Sequence, residues 1–218
     1  MNYGSASYWD ERYAAIGDRG EKNYDWYCSW AQLQRVLRSY LPKPKGAVGA
    51  SGDASFEILI PGCGSSTLGA HLYKEGFTNI TNIDSSSVLV NQMSELYAEL
   101  DQMEFTTMDA CSMEFIPDNC FNMIIDKALF DCMLCNPANM STITKLVPEM
   151  YRVLKPGGVY VLVSHGPPET REGFLVGDEE HGLRWTITST VIAKPPINDT
   201  VEQVVDQSFY VYFCKKAA

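Results

Sequence analysis

From residue 56 onward, apolar positions fall into short runs that alternate with longer stretches of helical spacing. FEILI (56–60), NITNI (79–83), MEFTTM (103–108), FNMII (121–125) and VYVLV (159–163) are short and rich in β-branched or aromatic residues, and each predicts a strand. Between them the spacing predicts a helix over 66–75 closed by Gly76, a helix carrying Leu89, Met93, Leu96 and Leu100, and a helix over about 140–153. Strand and helix in alternation imply a parallel sheet with right-handed crossovers and helices on both faces. The pattern then changes. LRWTITSTVIA (183–193) and SFYVYFC (208–214) are two strand-like runs with no obvious long helix between them, which predicts an antiparallel hairpin at the sheet edge. Upstream of the sheet, Trp26, Trp30, Leu33, Leu37 and Leu41 recur at helical spacing before Pro42, predicting a helix packed on the core, and PKPKGAVGASGDAS (42–55) reads as an exposed linker. Eight aromatic residues fall in the first 30 positions, a composition suited to a segment that covers something and not to a disordered tail.

Composition narrows this picture. With 218 residues and 45% hydrophobic content, the expectation is one domain over 1–218, comprising a lid and helix (1–41), the linker (42–55) and an α/β core (56–218). No basic apolar leader and no run of about 18 apolar residues is visible, so the expected protein is soluble and cytoplasmic, without a membrane role. Seventeen basic against 27 acidic residues give a net charge of −10, which argues against nucleic-acid binding and leaves room for a basic protein partner. Seven scattered cysteines in a chain this large imply reduced thiols. The CxxC spacing of Cys132 and Cys135 has no second pair, and His71, His165 and His181 lie far apart, so two thiols near a helix start are expected, with no metal site.

Candidate chemistry begins in EILIPGCGSST (57–67), where an apolar strand runs into a glycine turn and then into serines able to cap a helix. Open parallel sheets bind ligands beyond the carboxyl ends of their strands, and Gly62 and Gly64 sit at such an end. Asp84 ends the second strand, 20 residues after Gly64, where a carboxylate can accept from both hydroxyls of a ribose. Asp109 ends the third, where it can meet an adenine edge beside Ala110. Thr67 occupies the third position of a dinucleotide GxGxxG, and no GxxxxGK[ST] loop exists. A nucleoside ligand with little phosphate fits that pattern. S-adenosylmethionine meets it, with its amino-acid end at the glycine turn and its sulfonium near aromatic faces.

The glycine turn, Asp84, Asp109, RVLKPGG (152–158) and the final hairpin together resemble the seven-stranded class I methyltransferases over residues 56–214. YWDERY (8–13), YDWYCSW (24–30) and IIDKALFD (124–131) are similar to motifs of the elongation factor 1-alpha lysine methyltransferase group. The resemblance implies a Rossmann-like, doubly wound, mostly parallel α/β sheet of seven strands under an N-terminal helical lid. It further implies that Trp9, Tyr13 and Trp26 line a cofactor pocket, that Gly62 meets the methionyl end, that Asp84 and Ser85 hold the ribose region, that Asp109 and Ala110 meet adenine, and that Lys127 lies on the floor after strand four. GCGSS stands where that group more usually has GCGNS, and KALFD where it has KGTLD. The implied activity is protein-lysine N-methylation of an elongation factor 1-alpha-like substrate. The alternatives are a small-molecule methyltransferase with the same cofactor half and a cofactor-binding protein without transfer activity.

Residues that would act on a substrate stay open at this level. Asp126 and Asp131 are candidates for orienting an amine, and His165 for bonding a substrate or accepting a proton, while packing explains each equally well. No catalytic base is assigned. GPPETREGF (166–174) and VGDEEHG (176–182) read as loops after the fifth strand, with Arg171, Asp178, Glu179 and Glu180 at the mouth of a substrate cleft.

Overall fold

The computed structural model describes residues 5–19, 23–42, 53–135, 140–176, 182–193 and 208–218. Among them, seven strands form one sheet: β1 (Ile58–Pro61), β2 (Ile80–Asp84), β3 (Met103–Thr107), β4 (Phe121–Lys127), β5 (Leu154–Ser164), β6 (Trp185–Ala193) and β7 (Ser208–Lys216). The helices are α1 (Ala6–Arg19), α2 (Trp30–Leu37), α3 (Leu68–Lys74), α4 (Ser87–Leu96), α5 (Leu129–Leu134), α6 (Met140–Val153) and α7 (Pro168–Leu175). Strand order is β3-β2-β1-β4-β5-β7-β6, with β1 to β5 parallel and β7 antiparallel to both β5 and β6. The expected hairpin is present, and its second strand lies inside the sheet between β5 and the edge strand β6.

The period of two along each strand divides the core into two faces. Leu59, Ile124, Tyr160 and Leu162 point to one side, where they meet Ile143, Leu146, Val147 and Met150 of α6. Ile58, Ile60, Met123, Ile125, Val161 and Val163 point to the other, against Leu33 and Leu37 of α2 and Leu68 and Leu72 of α3. Because both faces are covered, the central strand β1 is apolar without interruption, and all four of its residues are buried. The two flanks differ. β3 is partly exposed, and β6 alternates.

Several expectations change in detail. Trp26, expected within a helix, lies outside α2, because Tyr27 takes the left-handed backbone (φ 68) and α2 begins only after Ser29, whose N–H donates to Gln32 Oε1 at 3.1 Å. The stretch 166–174 is a helix start and not a loop. Pro167 sits before α7 and Pro168 at its beginning, where a missing N–H costs nothing. The acids Asp178, Glu179 and Glu180 and His181 lie outside the described residues, as do Tyr3 and positions 43–52 of the expected linker. No helix among the described residues is long and apolar enough to cross a membrane.

Candidate active site

A cavity of about 480 Å³ opens at the carboxyl ends of β1 to β4. This is the place where β1 sits between β2 and β4 and the crossovers diverge to either side. The sheet contributes Gly62 and Gly64 after β1, Asp84 and Ser85 at the end of β2, Asp109 and Ala110 after β3, and Lys127 at the end of β4. Trp9 and Tyr13 on α1, together with Trp26, line it from the N-terminal side. The ten residues singled out in the sequence thus border one space.

Each glycine has a local cause. Gly62 adopts φ 56, and a Cβ there would stand 2.8 Å from Leu129 Cβ at the start of α5. Gly64 adopts φ 52, and its Cβ would meet the Tyr13 hydroxyl at 3.2 Å. The turn therefore needs glycine for its backbone and for what packs against it. Ala128, at φ 85, supplies the matching bend that turns β4 into α5 beside the cavity.

Asp84 is fixed by its own loops: Oδ2 accepts from the Gly64 N–H and Oδ1 from the Ser86 N–H, both at 3.0 Å. Burial raises its pKa, opposed by N–H groups of Ser86, Gly64 and Ser85. A carboxylate has about four acceptor positions, so each oxygen keeps capacity toward the cavity. Ser86 also caps α4, accepting from the Leu89 N–H at 3.2 Å, and its hydroxyl donates to Asp10 on α1 at 2.5 Å. Asp10 thereby docks α1 over the site. Trp9 and Tyr13, four residues apart on one helical face, stack with centroids 5.7 Å apart.

The second attachment is Asp25. It accepts from the Ser66 hydroxyl, from Thr67 Oγ1 at 2.7 Å and from Lys127 Nζ at 2.8 Å. Lys127 also donates to the Trp26 carbonyl at 3.2 Å. Burial would raise the Asp25 pKa, but the Lys127 charge and the bonds from Lys127, Ser66 and Thr67 hold it below its ordinary value. Neither Asp10 nor Asp25 was singled out in the sequence; each carried a signal only as part of a motif, Asp10 in YWDERY and Asp25 in YDWYCSW.

The remaining candidates separate. Asp126 is fully buried away from the cavity, accepting from the Phe130 N–H and the Tyr160 hydroxyl, and burial pushes its pKa up to about 7. Its place is structural. Asp131 is also buried, yet it accepts from Tyr27 Oη (2.8 Å), Ser164 Oγ (2.7 Å), the His165 N–H (2.9 Å) and His165 Nδ1 (2.7 Å). Arg171 completes this set from α7, Nε donating to Asp131 Oδ1 at 3.1 Å and to Ser164 Oγ at 2.9 Å. Arg171 is therefore a buried brace and not a mouth residue, and a Cβ on Gly166 would fall 2.2 Å from its guanidinium carbon. Against burial, which raises it, the bonds from Ser164, His165 and Tyr27 and the His165 charge hold Asp131 below its ordinary pKa. Cys132 and Cys135 are unpaired; burial pushes the Cys132 thiol up to about 12, so it is not a nucleophile near neutral pH. Among the described residues no group of three His, Cys, Asp or Glu side chains is placed to hold a metal ion.

Residues 58–158 match the family described as a methyltransferase domain. The chain is 34% identical over 165 residues to the eEF1A lysine and N-terminal methyltransferase of Homo sapiens, and 31% identical over 180 residues to the EEF1A lysine methyltransferase 4 of Mus musculus. The chain is thus similar to S-adenosylmethionine-dependent methyltransferases. Those alignments take in 74% and 78% of this chain, which spans 22% of the human relative's length and 65% of the mouse relative's. Among solved structures, a TehB-like SAM-dependent methyltransferase from Corynebacterium glutamicum superposes with a TM-score of 0.57 at 18% identity, covering 97% of both chains. The [4+2]-cyclase SpnF superposes at 0.64 and 16% identity, covering 98% of this chain and 97% of its own. At that identity the likeness speaks for the fold alone.

The cavity fits S-adenosylmethionine on three observations. The volume lies in the usual range for small-molecule pockets. Asp84 is a buried acceptor with capacity left for a ribose. The glycine turn leaves its backbone open on the cavity side.

Two expected outcomes follow from this geometry. Gly62→Ala forces a side chain into Leu129 at a positive φ and costs about 1–3 kcal/mol, measurable as a lower urea midpoint with unchanged slope. Asp131→Asn costs on the order of 3 kcal/mol at pH 7, because it leaves Arg171 buried without its counter-charge. The Asp131 pKa is depressed in the folded protein, so its stabilisation is complete above the unfolded value of 3.8 and is lost as pH falls through the folded one. In thermal melts the gap between wild type and Asp131→Asn stays constant from neutral pH to about pH 5 and closes below 3.8.

Proposed function

We propose that this chain transfers the methyl group of S-adenosylmethionine to a lysine amine of a protein, with an elongation factor 1-alpha as the substrate, in the cytoplasm where that factor works. The observation that carries the reading is the single cavity in which the acidic strand ends and the glycine turn lie opposite Trp9, Tyr13 and Trp26. Asp84 accepts from the ribose hydroxyls, Asp109 and Ala110 border the adenine, and the turn at Gly62 and Gly64 receives the methionyl end beside Lys127 and Asp25. The cofactor supplies a methyl carbon already activated by positive sulfur. The protein's part is to align the incoming amine and to exclude water, and aromatic faces suit the positive charge. The similarity to the human and mouse eEF1A methyltransferases supports a lysine of that factor as the acceptor. A net charge of −10 suits a basic partner.

In calorimetry the wild type binds S-adenosylmethionine, and Asp84→Ala weakens binding by about tenfold or more through loss of charge-assisted bonds to the ribose. Absence of wild-type binding overturns the reading. With tritiated cofactor, purified elongation factor 1-alpha becomes labelled. Label confined to small amines or thiols of a lysate moves the substrate to the small-molecule class.

A further inference from the structure

His165 lies just past the end of β5, beside the end of β4, since Lys127 and Val163 are register partners on adjacent parallel strands. Its ring is 54% exposed, although the Asp131 carboxylate that binds its Nδ1 is only 2% exposed. Asp131 cannot swing, being held by Ser164, Arg171 and the His165 N–H. Tyr27 closes the cluster from the N-terminal segment, with its hydroxyl 2.8 Å from Asp131 Oδ2 and 3.2 Å from His165 Nδ1. Its neighbour Trp26 lines the cavity, as does Cys132 next to Asp131. Tyr27 also holds a left-handed backbone, φ 68, that an aromatic residue adopts only under constraint, and its ring rests 4.8 Å from Phe209. A packing histidine needs none of this. A carboxylate at Nδ1 fixes the tautomer that carries the proton there and leaves Nε2 as an acceptor on the exposed side.

We propose that His165, oriented by Asp131 and Tyr27, presents Nε2 at the substrate mouth as the acceptor of the proton that a lysine ammonium loses before methylation. The inference rests on the lysine reading above. The N–H bond of the ammonium breaks and its proton passes to Nε2. The freed lone pair then forms the N–C bond as the methyl's C–S bond breaks, its electron pair staying on sulfur. Products are methyl-lysine, S-adenosylhomocysteine and an imidazolium that returns its proton to water. Among the described residues, the titratable and charged groups bonded around His165 are Tyr27 from the N-terminal segment, Asp131 from α5 and, through Asp131, Arg171 from α7.

The experiment compares wild type with His165→Ala, using tritiated S-adenosylmethionine and two acceptors, purified elongation factor 1-alpha and n-butylamine. His165→Ala is expected to leave cofactor affinity unchanged in calorimetry and to lower kcat by about 100-fold. Added imidazole restores part of that loss, and the variant's rate rises only at higher pH than the wild type's. Nitrogen NMR of the His165 ring at neutral pH is expected to show the proton on Nδ1. Equal kcat and equal pH profiles for the two proteins, or a proton resident on Nε2, overturn the assignment. Label on butylamine alone overturns the protein substrate, while the same comparison on butylamine still judges His165. Absence of cofactor binding or of label on either acceptor overturns both.

Discussion

The contact between Lys127 and Asp25 holds the site together. One carboxylate from the N-terminal segment meets the ammonium at the end of β4 and the two hydroxyls that open α3. Three segments far apart in the chain are thereby fixed around one point beside the glycine turn. An ion pair this sheltered contributes little net stability by itself, because desolvating both charges offsets most of their attraction. It specifies where Trp26 sits, since Lys127 also holds the Trp26 carbonyl. Asp10 performs the corresponding task for α1 through Ser86. The roof over the cavity is thus attached by acids, and the floor is built from backbone.

Two aspartates five residues apart show how environment assigns different roles to one side chain. Asp126 has the N–H groups of Leu129 and Phe130 and the Tyr160 hydroxyl but no cation, so burial dominates and its pKa rises to about 7. Asp131 has a guanidinium, an imidazole, two hydroxyls and an N–H, and its pKa falls. Both leave β4 or the helix after it, and neither borders the cavity. The difference lies in β5 and α7, which bring Ser164, His165 and Arg171 to one of them.

Much of this architecture was legible in the chain. β1, β2, β4 and the second half of β5 are almost wholly buried because both of their faces are covered, and that burial leaves a trace in short apolar-rich runs. The strand-end acids and the glycine turn were legible for a related reason, since parallel strands bring successive carboxyl ends side by side. The clamps were not. Asp25 meets partners 41, 42 and 102 positions away, and Asp10 meets Ser86 across 76; in isolation each reads as an ordinary surface acid. The start of α2 was misplaced because nothing about a tyrosine announces a positive φ. α7 was read as a loop because its prolines and charges have turn-like composition, and only their position at the first turn makes them helical.

The placement of β7 bears on how the chain acquires its shape. β6 joins the sheet only through β7, which is later in sequence and pairs along its length with β5 on the other side. While the ribosome is still producing the segment after β6, the five parallel strands can assemble, but they leave the long β5 with an unsatisfied row of backbone donors and acceptors. An open edge of that kind is a template for self-association, and residues 208–216 close it by inserting between β5 and β6.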